Sequence, residues 1–358
     1  MAFSNRLNEL LENESQRHQF SGAVLIKHHV NELFKAAYGD ANKSWGIKNE
    51  TNTRFRIASV SKLFTAVAIL QLIDSKKLSV DTCIVDCLDL ENTTIPYTVT
   101  IGHLLTMTAG IADWFEESGD WAQDWAALCR EYSIYQFRHN EDYLPLFINK
   151  PPNAPVGQQH QYNNASYILL GLAIAKLSGL SYFDYVRTHI FAKANMISSD
   201  FVALDGVDKN VAEGYVPITN AEEDVINWQK NIYSATPEAA ADGGATSTVE
   251  DLARFAHALR SGQLLSAEMT SAMLTPKVLE DDEPFDGYIW KYGYGNQFLE
   301  DEAGTIVRWG HTGEEDGVSC RFYYYPQQNI DVIILANQSE CAGNIGWEIH
   351  DLILETTP

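Results

Sequence analysis

Two rhythms of apolar and polar residues alternate along the chain. Gly22–Lys27 (GAVLIK) and Glu32–Ala37 are short apolar-rich runs ending at the turn residues Tyr38-Gly39, the pattern of strands. A polar stretch, Asp40–Thr53, then leads to Phe55-Arg56-Ile57-Ala58. From Ser59 the rhythm changes, and KLFTAVAILQLIDSKK carries apolar residues at helical spacing. Thr100–Thr108, Tyr162–Leu177 and Thr248–Leu259 predict further helices, the last with Ser247 or Thr248 as cap and Asp251 in its first turn. Arg6, Leu7, Leu10 and Leu11 mark an opening helix, and Ile345–Leu354 a closing one. Ahead of that closing helix the rhythm returns to strands at Tyr292–Phe298, Ile306–His311, Ser319–Tyr325 and Asp331–Ala336.

Strands at both ends and helices between them predict an α/β (α+β) architecture. Its simplest form is one antiparallel sheet built from both chain ends and flanked by the terminal helices, with an all-helical subdomain inserted. The boundaries fall at about 1–58 and 240–358 for the sheet part and 59–239 for the helical part. A cleft between the two parts is the expected place for a site. With 358 residues, the chain can bury a full core without disulfides. Its 45% apolar and 20% charged composition fits neither disorder nor coiled coil.

Charge narrows the partners. Asp and Glu number 48 against 25 Lys and Arg, a formal charge of −23. Such a surface offers nothing to replace the counterions of a nucleic acid, and nothing to hold anionic lipid. Solubility is the plain reason for the acidity; a preference for cationic substrates is the sharper one. Met1–Phe20 is polar and amphipathic, without an apolar signal core, and no run reaches the length of a membrane span. The five cysteines, Cys83, Cys87, Cys129, Cys320 and Cys341, are scattered and odd in number. Reduced thiols in a cytoplasmic protein are the expectation. Cys83 and Cys87 lack a second pair for zinc, so no metal is expected.

Three short motifs carry candidate chemistry. Ser59-Val60-Ser61-Lys62 puts a hydroxyl and an amine about one turn apart at a helix start. There the free N–H groups and the helix dipole stabilise an alkoxide, and a lysine can take its proton. Alone, the motif reads equally as an N-cap serine and an exposed lysine. Tyr162-Asn163-Asn164 offers a phenol for proton transfer and an amide for a carbonyl, or simply a cap for SYILLGLAIAKLSG. His311-Thr312-Gly313, at the end of IVRWG, lets a backbone approach a ligand closely, or marks a turn after an edge strand.

Together, in the order S-x-x-K, Y-x-N, H-T-G, these motifs resemble the penicillin-binding-protein and β-lactamase family of serine hydrolases. Y-x-N resembles class C β-lactamases and the related D-alanyl-D-alanine carboxypeptidases, and H-T-G the carboxypeptidase branch. The blocks FSGAVLIK, TRFRIASVSKLFTA, HLLTMTAGI, YNNASYILLGLAIAKLSG, GGATSTVEDLARF and RWGHTG…GVSCRFYYYP extend the likeness from about Phe20 to Gln338. The resemblance implies a single catalytic domain with a β-lactamase/transpeptidase-like fold. It implies Ser59 as acyl-forming nucleophile, Lys62 as its deprotonating partner and Tyr162 as the relay to the leaving group. Asn164 would bind the substrate amide and orient the lysine. His311 would hold a carboxylate or tune Tyr162, with Thr312 and Gly313 beside it. The backbone N–H groups of Ser59 and Glu314 match the oxyanion hole. This chemistry requires no metal or organic cofactor.

Two features bear on specificity. After H-T-G the run is Glu314-Glu315-Asp316, three acids that would repel a substrate carboxylate and attract an amine, or else point to solvent. The segment Asp113–Trp125 (DWFEESGDWAQDW) is rich in aromatic rings and forms either a surface helix or the wall of an acyl pocket. The expected activity is hydrolysis of small esters, and of amides or D-amino-acid peptides. A D-alanyl-D-alanine carboxypeptidase, D-aminopeptidase or β-lactamase is the near rival, and a catalytically silent homologue with a binding or assembly role the distant one.

Overall fold

The computed structural model describes residues 3–116 and 121–356. Its centre is an eight-stranded antiparallel sheet. The order across it is Asn31–Tyr38, Gly22–His28, Ile330–Ala336, Val318–Tyr325, Ile306–Glu315, Gln297–Asp301, Tyr288–Tyr292, Val278–Leu279. The N-terminal hairpin thus docks on a C-terminal meander, with Val24 opposite Ile334 and Gly310 opposite Tyr323.

The sheet is covered on both faces, and the period-two alternation of side chains sorts its residues between two cores. Val24, Ile26, Ile334 and Ala336 join Leu7 and Leu11 of the opening helix and Ile345, Ile349 and Ile353 of the closing one. Ala23, Leu25, Ile333 and Leu335 face the other way, into the larger core. That core includes Leu252 and Phe255 of the Val249–Arg260 helix and continues into the Lys62–Asp74 and Asn164–Ser178 helices. Those last two are apolar all round, as helices buried on every side must be. Among the described residues no single helix is long and apolar enough to cross a membrane.

Several boundaries differ from the sequence expectation. Tyr292–Phe298 is not one strand: the chain turns at Gly293-Tyr294-Gly295 and returns as Gln297–Asp301. Gly295 has φ +69, and a Cβ there would lie 2.6 Å from Ala66 Cβ, so the turn needs glycine. The helix expected over Thr100–Thr108 spans only Ile101–Leu105, because Met107 adopts φ +56. The middle of the chain holds helices as expected, and in addition a hairpin of Tyr215–Thr219 with Val225–Lys230. The strand expected over Ile306–His311 runs on to Glu315, which carries H-T-G and the acids within it. The five cysteines are free.

Candidate active site

The site begins where a strand turns sharply into a helix. Phe55-Arg56 pairs with Thr246-Ser247, and Ile57 N–H donates to Ala245 O at 2.9 Å. The chain reverses through Ala58, whose φ of +44 is costly for a residue with a Cβ. A 3-10 turn over Ala58–Ser61 then feeds the Lys62–Asp74 helix. The turn is held by Ser61, not Ser59: Ser61 Oγ donates to Ala58 O at 2.7 Å and accepts from Ala245 N at 3.0 Å. Ser59 is therefore not spent on capping. It is the one residue between 55 and 70 that is not buried.

Two groups converge on Ser59. Lys62 Nζ donates to Ser59 Oγ at 2.9 Å, and Tyr162 Oη donates to the same oxygen at 2.7 Å. Lys62 is fully buried, and its Nζ also donates to Asn164 Oδ1 and to the backbone oxygen of Asp242, both at 2.7 Å. Nζ lies 4.8 Å from the Tyr162 ring centroid, which adds a cation–π contact. The two asparagines divide their work. Asn163 Oδ1 accepts from Ser166 N at 2.7 Å and caps the helix, which leaves Asn164 to face the lysine.

The H-T-G strand packs directly on the serine turn. A Cβ at Gly313 would lie 2.4 Å from Ile57 O, so only glycine allows this approach. Thr312 N–H donates to Gln297 Oε1 at 3.0 Å, and Gln297 in turn donates to Glu280 Oε1 at 2.8 Å. His311 is completely buried. Its Nδ1 lies 2.6 Å from Thr312 O and its Nε2 3.1 Å from Tyr292 Oη. A carbonyl only accepts, so Nδ1 carries the proton and Nε2 accepts from the tyrosine. Burial, reinforced by the Lys62 charge, pushes its pKa down to about 3. His311 thus stands neutral behind Tyr162, with ring centroids 6.4 Å apart, and presents no cation to a carboxylate.

The acidic run is also placed differently from the expectation of an amine-attracting cluster. Glu314 Oε1 accepts from Arg321 Nη1 at 2.5 Å and from Ser319 Oγ at 2.8 Å. Glu315 lies 2.5 Å from Arg56 Nε. Two of the three charges are therefore matched by arginines that sequence spacing does not link to them. Asp316 contributes a backbone oxygen to Asn231 Nδ2 at 2.8 Å.

A pocket of about 70 Å³ opens beside Ser59, with Trp114, Phe115, Trp121, Trp125 and Tyr143 among its walls and Asp242 at its edge. The aromatic segment does form a cleft wall; its residues 117–120 lie outside the described residues. Phe115 packs edge-on against Trp121 and Trp125, with centroids 4.5 and 5.6 Å apart. Sequence reading missed Asp113, Gln297 and Asp242. Asp113 stands only two residues beyond the HLLTMTAGI block, but nothing in its spacing announces its partners, which lie 51 and 52 residues away. Among the described residues no group of three His, Cys, Asp or Glu side chains could hold a metal ion.

A buried lysine and a tyrosine meeting on one accessible serine, in this scaffold, define a protein of the serine-hydrolase type. The chain matches the Beta-lactamase family over residues 7–347 and belongs to it. It is 29% identical over 349 residues to penicillin-binding protein 4* of Bacillus subtilis, across 93% of this chain and 72% of that protein. Among solved structures, a penicillin binding protein from Bacillus halodurans shares 35% identity, with a TM-score of 0.85 over 97% of this chain and 98% of that one. An octameric penicillin-binding protein homologue from Pyrococcus abyssi shares 26%, with a TM-score of 0.82 over 99% of this chain and 78% of that one.

Proposed function

We propose that the protein hydrolyses small esters and amides through an acyl-enzyme on Ser59. The observation that carries this reading is the pair of contacts on Ser59 Oγ, from Lys62 Nζ at 2.9 Å and Tyr162 Oη at 2.7 Å. Proton accounting supports it. Asn164 Oδ1 and Asp242 O are obligate acceptors and fix two of the lysine hydrogens. A neutral amine satisfies both and turns its lone pair to the serine O–H; an ammonium satisfies all three neighbours. Lys62 therefore takes up the serine proton without breaking another bond.

Ser59 Oγ attacks the substrate carbonyl carbon, and its proton passes into the Lys62–Tyr162 pair. The C–O or C–N bond to the leaving group breaks, and Tyr162 delivers a proton to that group. Water then repeats the sequence on the acyl-enzyme and frees the acid. Backbone N–H groups of Ser59 and Glu314 serve the oxyanion, at a place where a lost donor costs roughly 10²–10³ in rate.

Substrate choice follows from charge. His311 is neutral and buried, and Arg56, which lines the pocket, is already paired with Glu315. Nothing in the strand wall rewards a carboxylate next to the scissile bond, which favours neutral esters and amides over penicillins and D-Ala-D-Ala ends. The penicillin-binding relatives make nitrocefin the right competitor substrate. The test is p-nitrophenyl butyrate turnover by wild type and Ser59→Ala near neutral pH. A fall of about a thousandfold or more is expected. Equal rates refute the role of Ser59, and nitrocefin turnover matching the ester refutes the substrate preference.

A further inference from the structure

Lys62 Nζ draws its two obligate acceptors from distant parts of the chain: Asn164 at the start of one helix, and Asp242 in the loop before Thr246-Ser247. Both supports are tied to one short segment. Ile111 O accepts from Asn163 Nδ2 at 3.0 Å. Asp113, itself buried, accepts from Asn164 N at 2.6 Å through Oδ2 and from Ala165 N at 2.8 Å through Oδ1. Its charge therefore sits on the N-terminal amides of the helix that carries Asn164. The next residue, Trp114, donates from Nε1 to Asp242 Oδ2 at 2.9 Å. The segment is itself anchored, since Asn153 N and Ala154 N both donate to Gly110 O. Gly110, at φ +65, leaves no room for a Cβ, which would lie 2.2 Å from Ala154 O.

Resting on the reading of Ser59 and Lys62 as the reacting pair, we propose that Ile111–Trp114 is a brace for Lys62. Asp113, Trp114 and Asp242 are its positioning residues. Asp113 sets the Asn164 acceptor, and Trp114 sets the loop that supplies the Asp242 carbonyl. The Asp242 carboxyl is also coupled electrostatically to the Lys62 amine. Burial pushes its carboxyl above the usual range, while Lys62, the Trp114 N–H and, more weakly, Arg56 pull it back. The other groups facing Lys62 are Ser59 from its own turn, Tyr162 and Tyr167 from the Asn164 side, and neutral His311 from the strand. Asp242 and Lys62 therefore titrate against one another.

The test uses the full chain as Trp114→Phe and Asp242→Asn, with p-nitrophenyl acetate and p-nitrophenyl butyrate. Trp114 also lines the pocket, so the two roles must be separated. A lost brace lowers kcat by the same factor on both esters, about tenfold or more, with KM unchanged. Asp242→Asn keeps an oxygen for Trp114 and the carbonyl for Lys62 but removes the titrating group. The limb of its pH–rate profile that reports Lys62 moves to lower pH by about one unit. Kinetics within twofold of wild type and superposable profiles overturn the proposal. So does a loss confined to KM that scales with acyl size, because that assigns Trp114 to substrate contact. If Trp114→Phe fails to fold, the isosteric Asp242→Asn decides alone. Equal turnover by wild type and Ser59→Ala removes the underlying reading instead, and is seen without either variant.

Discussion

The two walls of the cleft are built on opposite plans. On the helical wall, side chains do the work: Lys62, Tyr162 and Asn164 send their polar atoms to one amine and one hydroxyl. On the strand wall, side chains are already engaged with one another. His311 is sealed behind Tyr162, while Glu314 and Glu315 are tied to Arg321 and Arg56. What the strand offers the cleft is backbone, brought close by Gly313. A wall of the first kind is sensitive to atoms; a wall of the second is sensitive to space.

The contrast predicts which substitutions matter. Lys62→Ala removes the proton acceptor and leaves Asn164 and the Asp242 carbonyl facing a void; kcat falls by about 10³ or more in ester assays, with the fold retained by circular dichroism. Gly313→Ala is chemically mild, yet its methyl would fall 2.4 Å from Ile57 O and must push the strand from the serine turn. Its kcat/KM drops by about 10². Glu314→Gln removes a charge that Arg321 already balances on a partly solvated surface; its kcat/KM stays within about threefold of wild type. A large loss there would place the carboxylate in substrate recognition and spoil the contrast.

The smallest effect concerns pH. His350 bonds Tyr325 and Tyr288, and burial, with nearby Arg308, pushes its pKa down to about 3. The unfolded chain then binds a proton below about pH 6.5 that the folded chain refuses. The neutral-histidine contribution is fully present above that value and is lost as pH falls toward 3. Replacing it in His350→Gln makes the decline of Tm between pH 7 and pH 5 shallower than in wild type. A parallel decline would show that His350 does not contribute to it.

Apolar patterning was enough to recover most of the fold, because nearly all elements carry a buried face and the long apolar runs of the two central helices stand apart from the short strands. It failed where a turn hid inside an apolar run, at Gly293-Tyr294-Gly295, and where a single left-handed residue, Met107, ended a helix early. The motif residues Ser59, Lys62, Tyr162 and Asn164 were findable because the three motifs in that order resemble a known family, whereas each motif alone reads as well as a cap or a turn. Asp113, Asp242 and Gln297 act through partners remote in sequence, and no spacing encodes such contacts. The acids at 314–316 were misleading for the same reason. A charge run shows its sign, but not the arginines that fold against it.

The central claim is a covalent acyl-enzyme on Ser59. A fluorophosphonate probe followed by intact mass and peptide mapping tests it most directly. Wild type gains one adduct on the peptide that carries Ser59, and folded Ser59→Ala gains none. An adduct on another residue, or no adduct on a folded wild-type chain, contradicts the account.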